Sequence, residues 1–231
     1  MKLLAFETAT EACSVAVWID GEVRERFEIA PRRHAELALP WADALLADAG
    51  IAKAQLDGIA VGRGPGAFTG VRLAIALVQG IALALDRPVV AVSTLAVLAM
   101  QAPQGRALAA IDARMGEVYA GAFVRDGDGV LATSAEQVLA PSRVTLADGE
   151  GGWHGVGTGF GAVDGALQQA LAPQLSSVDA TALPHAADVA RLAAPAFARG
   201  EVLAPERLEP AYLRDNVALT LAEQAALRAS R

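Results

Sequence analysis

The chain is short of the residues that most chemistry needs. It has one cysteine in 231 residues, Cys13, so no disulfide can form within it and a reducing compartment is expected. Cys13 lies in an alternating apolar run and reads as a buried strand thiol. The three histidines, His34, His154 and His185, are far apart, and no pair has the i,i+3 or i,i+4 spacing that sets two imidazoles on one metal. His34 reads as a surface residue at a helix start and His154 as a solvent-facing loop residue. No Gly-Lys-Ser/Thr follows the glycine-rich turn at 62–70, which excludes a Walker A loop, and the dinucleotide glycine spacing is absent as well. There is no G-x-S-x-G elbow, and neither Ser14 nor Thr69 has a visible general base. The carboxylate pairs Glu7/Glu11 and Asp112/Glu117 lack an obvious His, Ser or Cys partner.

Excess positive charge is missing too. The net charge is −7 with a pI near 5.0, so no overall field draws the chain onto nucleic acid. Aromatics make up only 5%. Residues 1–6 are apolar, but Glu7 and Glu11 interrupt them and no basic region precedes an apolar run, so no secretory signal is expected. The best membrane candidate, 73–85, is 13 residues long and contains Gln79 and Gly80. That is short of the ~20 a span needs. A cytoplasmic, globular protein is the expectation.

What is present is apolar and glycine-rich. Hydrophobic residues reach 54% and mean hydropathy is +0.36, much of it from alanine. The most informative stretch runs from Gly62 through Gly64, Pro65, Gly66 and Gly70 to Arg72, between a short apolar run and an almost uncharged helix. Such a turn serves through its backbone, suiting either an anion at a helix N-terminus or a tightly packed neighbour. A second region, 149–161, holds seven glycines in 13 residues. Its segment 155–160 reads as a packed or flexible surface loop, with the remnant of an adenosine loop as the alternative.

Periodicity gives three initial strands (2–6, 13–19, 23–29) joined at Asp20-Gly21 by a hairpin turn. A helix from His34 to Ala49 follows, closed by Gly50 and kinked or broken at Pro40. Next come a strand at 59–61, the helix reaching Leu85, a strand at 88–92, and a helix capped by Ser93. This β-β-β-α-β-α-β-α order predicts an α/β protein with the two-lobed fold of actin, Hsp70-type ATPases and sugar kinases. The expected lobes are 1–103, joined by part of 201–217, and a smaller second lobe, 104–200. Residues 218–231 are expected to form a tail. No repeat of fixed period is visible.

Three ordered motifs carry a resemblance to a known family: 7–16 (ETATEACSVA), 62–72 (GRGPGAFTGVR) and 110–119 (AIDARMGEVY), with 210–216 (PAYLRDN) resembling its closing segment. Together they resemble the TsaB (YeaZ) family over residues 1 to about 217, strongly in the first 125 and loosely between about 130 and 200. The resemblance implies an actin/Hsp70-like (ASKHA, ribonuclease H-like) fold. It implies a part in making threonylcarbamoyladenosine in tRNA, beside the anticodon, as a noncatalytic paralogue of TsaD. It also implies pairing with TsaD as a heterodimer, recruitment of the ATPase TsaE, and tRNA contact only through the complex. ATP and metal are then expected on the partner subunits, with no cofactor in the isolated chain.

The residues fit that implication. The two metal-ligand positions of TsaD-like proteins fall on Thr94 and Leu98, neither an imidazole. Glu7 stands where nucleotide-binding relatives usually place Asp, leaving Glu7, Thr8 and Thr10 as a possible remnant of a phosphate hairpin. A noncatalytic subunit acts through its surface. On the helix ending at Leu85, the residues Ala74, Val78, Ile81 and Leu85 make a bulky stripe for the sheet. Ala76, Gly80 and Ala84 make a small-residue stripe walled by Leu73, Leu77 and Leu83. On the helix from His34, Leu37, Trp41 and Leu45 form one ridge, and Leu39, Ala42 and Leu46 another. An interface with TsaD, or with a second copy when TsaD is absent, is expected at Leu39, Leu46, Leu73, Ala76, Leu77, Gly80, Leu83 and Ala84. The alternatives are an ATP-dependent enzyme of the same fold and, less favoured, a metallopeptidase.

Overall fold

The computed structural model describes residues 1–146 and 151–214. The expected tail, and Asp215 and Asn216 of the closing motif, lie outside the described residues. The first sheet is built from β1 (Lys2–Glu7), β2 (Ala12–Ile19), β3 (Glu22–Ile29), β4 (Gly58–Gly62) and β5 (Val89–Val92), in the order β3-β2-β1-β4-β5. The β1–β2–β3 meander is antiparallel, while β4 and β5 run parallel to β1. β1 and β4 are apolar and buried almost throughout, as expected of strands covered on both faces. Asp20 and Gly21 turn the first hairpin with φ of 49° and 108°, as the Asp-Gly pair predicts.

Alternation divides the strand residues between two cores. Leu4, Phe6, Val15, Ile59 and Val61 face α1 (His34–Asp48) and α2 (Phe68–Leu85). Leu3, Ala5, Ala16, Ala60 and Val90 face α5 (Ala186–Ala198). The first lobe is therefore helix, sheet, helix. This corrects the expected boundary: α5 packs on the first sheet, so the chain returns to the first lobe before residue 186 rather than after 200. Pro40 lies inside α1, which runs on without a break, so of the expected kink or break the second is corrected. Ser93 caps α3 (Thr94–Ala99) as expected, its hydroxyl accepting from the amides of Leu95 and Ala96.

The second sheet comprises β6 (Gly105–Arg114), β7 (Glu117–Asp126), β8 (Gly129–Ala132), β10 (Trp153–Val156) and β11 (Leu175–Asp179), in the order β11-β10-β6-β7-β8; β9 (Gln137–Leu139) pairs with β7. Read from β8 to β11, this is the first sheet's plan again, an antiparallel meander followed by two parallel strands. The duplication is one of topology, with no periodic sequence to reveal it. Short α4 (Ala166–Leu171) covers one face of this sheet, and α3 supplies Leu95 and Leu98 to the other.

Region 149–161 departs from the loop reading. Its described part contains β10, so His154 is a strand residue, with Nδ1 2.7 Å from the Ser177 hydroxyl. The glycines there are packed: a Cβ on Gly155 would lie 2.5 Å from the Phe160 ring, and one on Gly157 2.3 Å from the Ala110 carbonyl oxygen. Helix α2 starts at Phe68 rather than Leu73. Its 18 residues, with mean hydropathy 1.8, are long and apolar enough to cross a membrane by length and composition alone. Yet Val71, Ala74, Ile75, Val78 and Ala82 are buried in the first lobe's core. One face of α2 is thus packed into the core of a folded lobe.

Candidate functional site

Two features converge where the lobes meet. The first is the hairpin between β1 and β2 with the glycine-rich loop laid against it. Glu7, Thr8, Ala9 and Thr10 are all buried. The amide of Ala67 donates to the Ala9 carbonyl at 2.7 Å, and the Thr8 hydroxyl donates to the Gly70 carbonyl at 2.8 Å. A Cβ on Gly66 would stand 2.4 Å from the Ala9 oxygen, and one on Gly70 2.0 Å from the Thr8 oxygen. No side chain fits at either position. The glycines serve a packed neighbour, so of the two readings of this turn the structure takes the second.

Glu7 is locked into the same knot. One carboxylate oxygen accepts from the Ala9 amide at 2.7 Å and the other from the Thr94 hydroxyl at 3.0 Å. Thr94 in turn accepts from the Gly64 amide at 3.1 Å. A Cβ on Gly62 would fall 1.8 Å from the Glu7 carboxylate, which explains that glycine. Burial pushes the Glu7 carboxyl up to about 7, against the opposing effect of its hydrogen bonds. Glu11 is exposed, so the two glutamates do not share an environment. The phosphate-hairpin candidates Glu7, Thr8 and Thr10 are thus brought together, but their polar groups are bonded within the protein, to the backbone of Ala9, Gly70 and Ala12 and to the Thr94 hydroxyl. Thr94 and Leu98 are both fully buried. Among the described residues no three His, Cys, Asp or Glu side chains are grouped to hold a metal ion.

The second feature is a cleft of about 1450 Å³ between the lobes. Its first-lobe wall includes Thr10, Glu11, Arg32, His34 and the start of α2; its second-lobe wall includes Asp112, Arg114, Tyr119 and Thr158. His34 is half-buried, its Nε2 3.0 Å from the Thr10 carbonyl, and so is not the plain surface residue expected. The closing segment straps the cleft. The Ala211 amide donates to the Arg63 carbonyl at 2.9 Å. Arg72 donates to the Tyr212 hydroxyl, and Arg214 reaches across to Glu117 and the Ala113 carbonyl of the second lobe. Sequence reasoning missed Phe68, Arg72 and Tyr212 as a group, because 140 residues separate Arg72 from Tyr212.

Outside the cleft, α2 presents its small-residue stripe to solvent. Ala76, Gly80, Leu83 and Ala84 are exposed, Leu73 and Leu77 half-buried, and nothing lies within 4 Å of a Cβ added at Gly80. Leu39 on α1 is 44% exposed. Leu46 is 3% exposed and belongs to the core, so its inclusion among surface candidates is corrected. The turn of α1 puts Ala38, Ala42, Leu45 and Leu46 on the sheet side and leaves Leu39 outside.

Comparison with known proteins agrees with this architecture. The Escherichia coli tRNA threonylcarbamoyladenosine biosynthesis protein TsaB is 43% identical over 226 residues, covering 94% of this chain and 96% of its own length. The chain belongs to the TsaB family. The Haemophilus influenzae TsaB is 36% identical over 94% of this chain and 95% of its own. The family model described as TsaD, tRNA N6-adenosine threonylcarbamoyltransferase, matches residues 27–221. The solved structure of YeaZ from Pseudomonas aeruginosa, 44% identical, superposes with a TM-score of 0.83 over 92% of this chain and 99% of its own. A second Pseudomonas aeruginosa structure, of a protein described as similar to peptidase YeaZ, gives 0.85 at 46% identity over the same shares. The two-lobed α/β fold read from the strand order is the fold of this family.

Proposed function

We propose that this chain is a noncatalytic scaffold subunit of the machinery that makes threonylcarbamoyladenosine in tRNA. In this reading it pairs with TsaD, helps to recruit TsaE, and meets tRNA only within that complex, in the cytoplasm. The catalytic ATP and metal belong to the partner subunits, and a homodimer forms through the same face when TsaD is absent. The observation that carries the reading is the outer side of α2. A soluble lobe has little reason to leave Leu83 61% exposed beside the bare stripe of Ala76, Gly80 and Ala84. Small residues let a second helix approach closely, and leucines at the sides supply apolar area. The filled phosphate hairpin and the apolar or hydroxyl residues at the ligand positions support the noncatalytic part.

The test is Ala76→Arg. The site is exposed and arginine forms helix well, so the free protein should melt within a few degrees of its parent. A charge on a packed interface floor should weaken TsaD binding about a thousandfold or more. Co-elution with TsaD and tRNA modification by the reconstituted system should both be lost. Normal TsaD binding by the folded variant would place the interface elsewhere.

A further inference from the structure

A second cavity, of about 460 Å³, lies on the α5 side of the first sheet, whereas the large cleft opens on the α1 and α2 side; no residue lines both. One wall is α5 with Glu25 of β3. The other is made by the residues that follow α3 and by the β7–β8 hairpin, through Gln101, Arg125 and Asp128. Its volume falls within the roughly 300–1,000 Å³ of small-ligand pockets.

Six titratable or charged side chains line this cavity, and four of them pair off. His185 Nδ1 lies 3.0 Å from a Glu25 oxygen, and that contact raises the imidazole's pKa and favours its cation. The other Glu25 oxygen accepts from the Ser14 hydroxyl at 2.6 Å and the Ala187 amide at 3.0 Å. Asp188 is buried and accepts from Arg191 at 2.7 Å and from the Gln101 side-chain amide. One cation and one anion remain, Arg125 and Asp128. Among the described residues no carboxylate pairs with Arg125 and no basic group with Asp128. Arg125 donates one terminal N–H to the Ala102 carbonyl, but its Nε–H is buried and has no partner. Buried N–H groups in folded proteins are nearly always bonded, so an unmatched one on a cavity wall points to a group the chain does not itself supply.

The signs of the walls decide what that group belongs to. A simple anion would meet the carboxylates of Glu25, Asp128 and Asp188, and a simple cation would meet Arg125, Arg191 and His185. A molecule with both signs can satisfy the uncommitted pair together. We propose that this cavity binds a small zwitterion of the amino-acid class, its carboxylate on the Arg125 Nε–H and its ammonium facing Asp128, with α5 as the opposite wall. The proposal does not rest on the scaffold reading, whose test lies on α2.

The test is calorimetric titration of the full-length protein with glycine and L-leucine, and with acetate and methylamine as carriers of one sign each. Saturable binding of at least one amino acid is expected, about tenfold or more tighter than that of acetate or methylamine. In the parent, the arginine Nε–H resonance that disappears in Arg125→Lys should shift in step with the heat. Arg125→Lys keeps the charge but removes Nε–H, and Asp128→Asn removes the opposite charge at an exposed position. Each should weaken binding about tenfold or more, with melting temperature and TsaD co-elution unchanged. Asp128→Asn decides the matter if Arg125→Lys does not fold. No saturable binding of either amino acid at tens of millimolar overturns the proposal, and the cavity then holds only water. Acetate or methylamine binding as tightly as the amino acids also overturns it, as does amino-acid binding that leaves the Arg125 Nε–H resonance unmoved or that folded Asp128→Asn retains in full.

Discussion

Replacing Glu7 by glutamine should make the protein more stable at pH 8 and less stable, by about 1 kcal/mol, at pH 4. The carboxyl is 1% exposed, and burial raises it from 4.5 to about 7. For an acid raised in the folded state, the native chain binds more protons than the unfolded chain between those two values. Stability therefore falls as pH rises through that window, by up to about 1.4 kcal/mol per pH unit. Above about pH 7 the loss is complete, at about 3 kcal/mol in total. Glutamine has the shape of the protonated acid. Its amide oxygen can accept from the Ala9 amide, and its NH2 faces the Thr94 hydroxyl. Reorienting that hydroxyl costs about 1 kcal/mol, so the net gain expected at pH 8 is about 2 kcal/mol. Urea unfolding of parent and variant at pH 4, 5, 6, 7 and 8 measures it, and the difference between the two proteins cancels other titrating groups. Parallel stability curves across this range would refute the reasoning, because an ionised Glu7 would then cost nothing. Glu7→Ala is a poorer probe, since it orphans the Ala9 amide and the Thr94 hydroxyl and opens a hole under the loop.

Two paired substitutions test the packing. Gly70→Ala forces a methyl to within 2.0 Å of the Thr8 carbonyl oxygen and should cost about 3 kcal/mol or more, whereas Gly80→Ala, in open space on the same helix, should stabilise by about 0.5–1 kcal/mol; denaturant midpoints separate the two. Leu46→Ala should cost about 2–5 kcal/mol because the side chain is in the core, while Leu39→Ala should stay within about 0.5 kcal/mol, and similar melting temperatures for the two would contradict the orientation of α1.

Local physics made much of the fold legible. Apolar runs, the Asp20-Gly21 turn and the Ser93 cap each depend on a few adjacent residues, so β1 to β5 and the first three helices could be read directly. The small-residue stripe of α2 was legible because helical periodicity is a property of sequence. It survives because the sheet claims only one side of the helix. The resemblance to TsaD-like proteins put Thr94 and Leu98 at the two metal-ligand positions of those proteins, and that neither is an imidazole is a matter of residue identity.

What the tertiary structure decided depends on residues far apart in the chain. Whether the glycine turn held an anion or a neighbour turned on Thr8 and Ala9 lying against it. Whether Leu46 was core or surface turned on the roll of α1 over the sheet, since its apolar residues covered two ridges and either was compatible with burial. Helix α5 looked like part of the second lobe because it follows it in sequence, yet its alanines fit the unoccupied face of the first sheet. Region 149–161 read as loop because glycine disfavours a strand in isolation; Phe160 and Ala110 press so close that only glycine fits, and packing overrides propensity. Phe68, Arg72 and Tyr212 had no local signal at all, because a stack between the start of α2 and the closing strap exists only once the chain has folded back across the cleft.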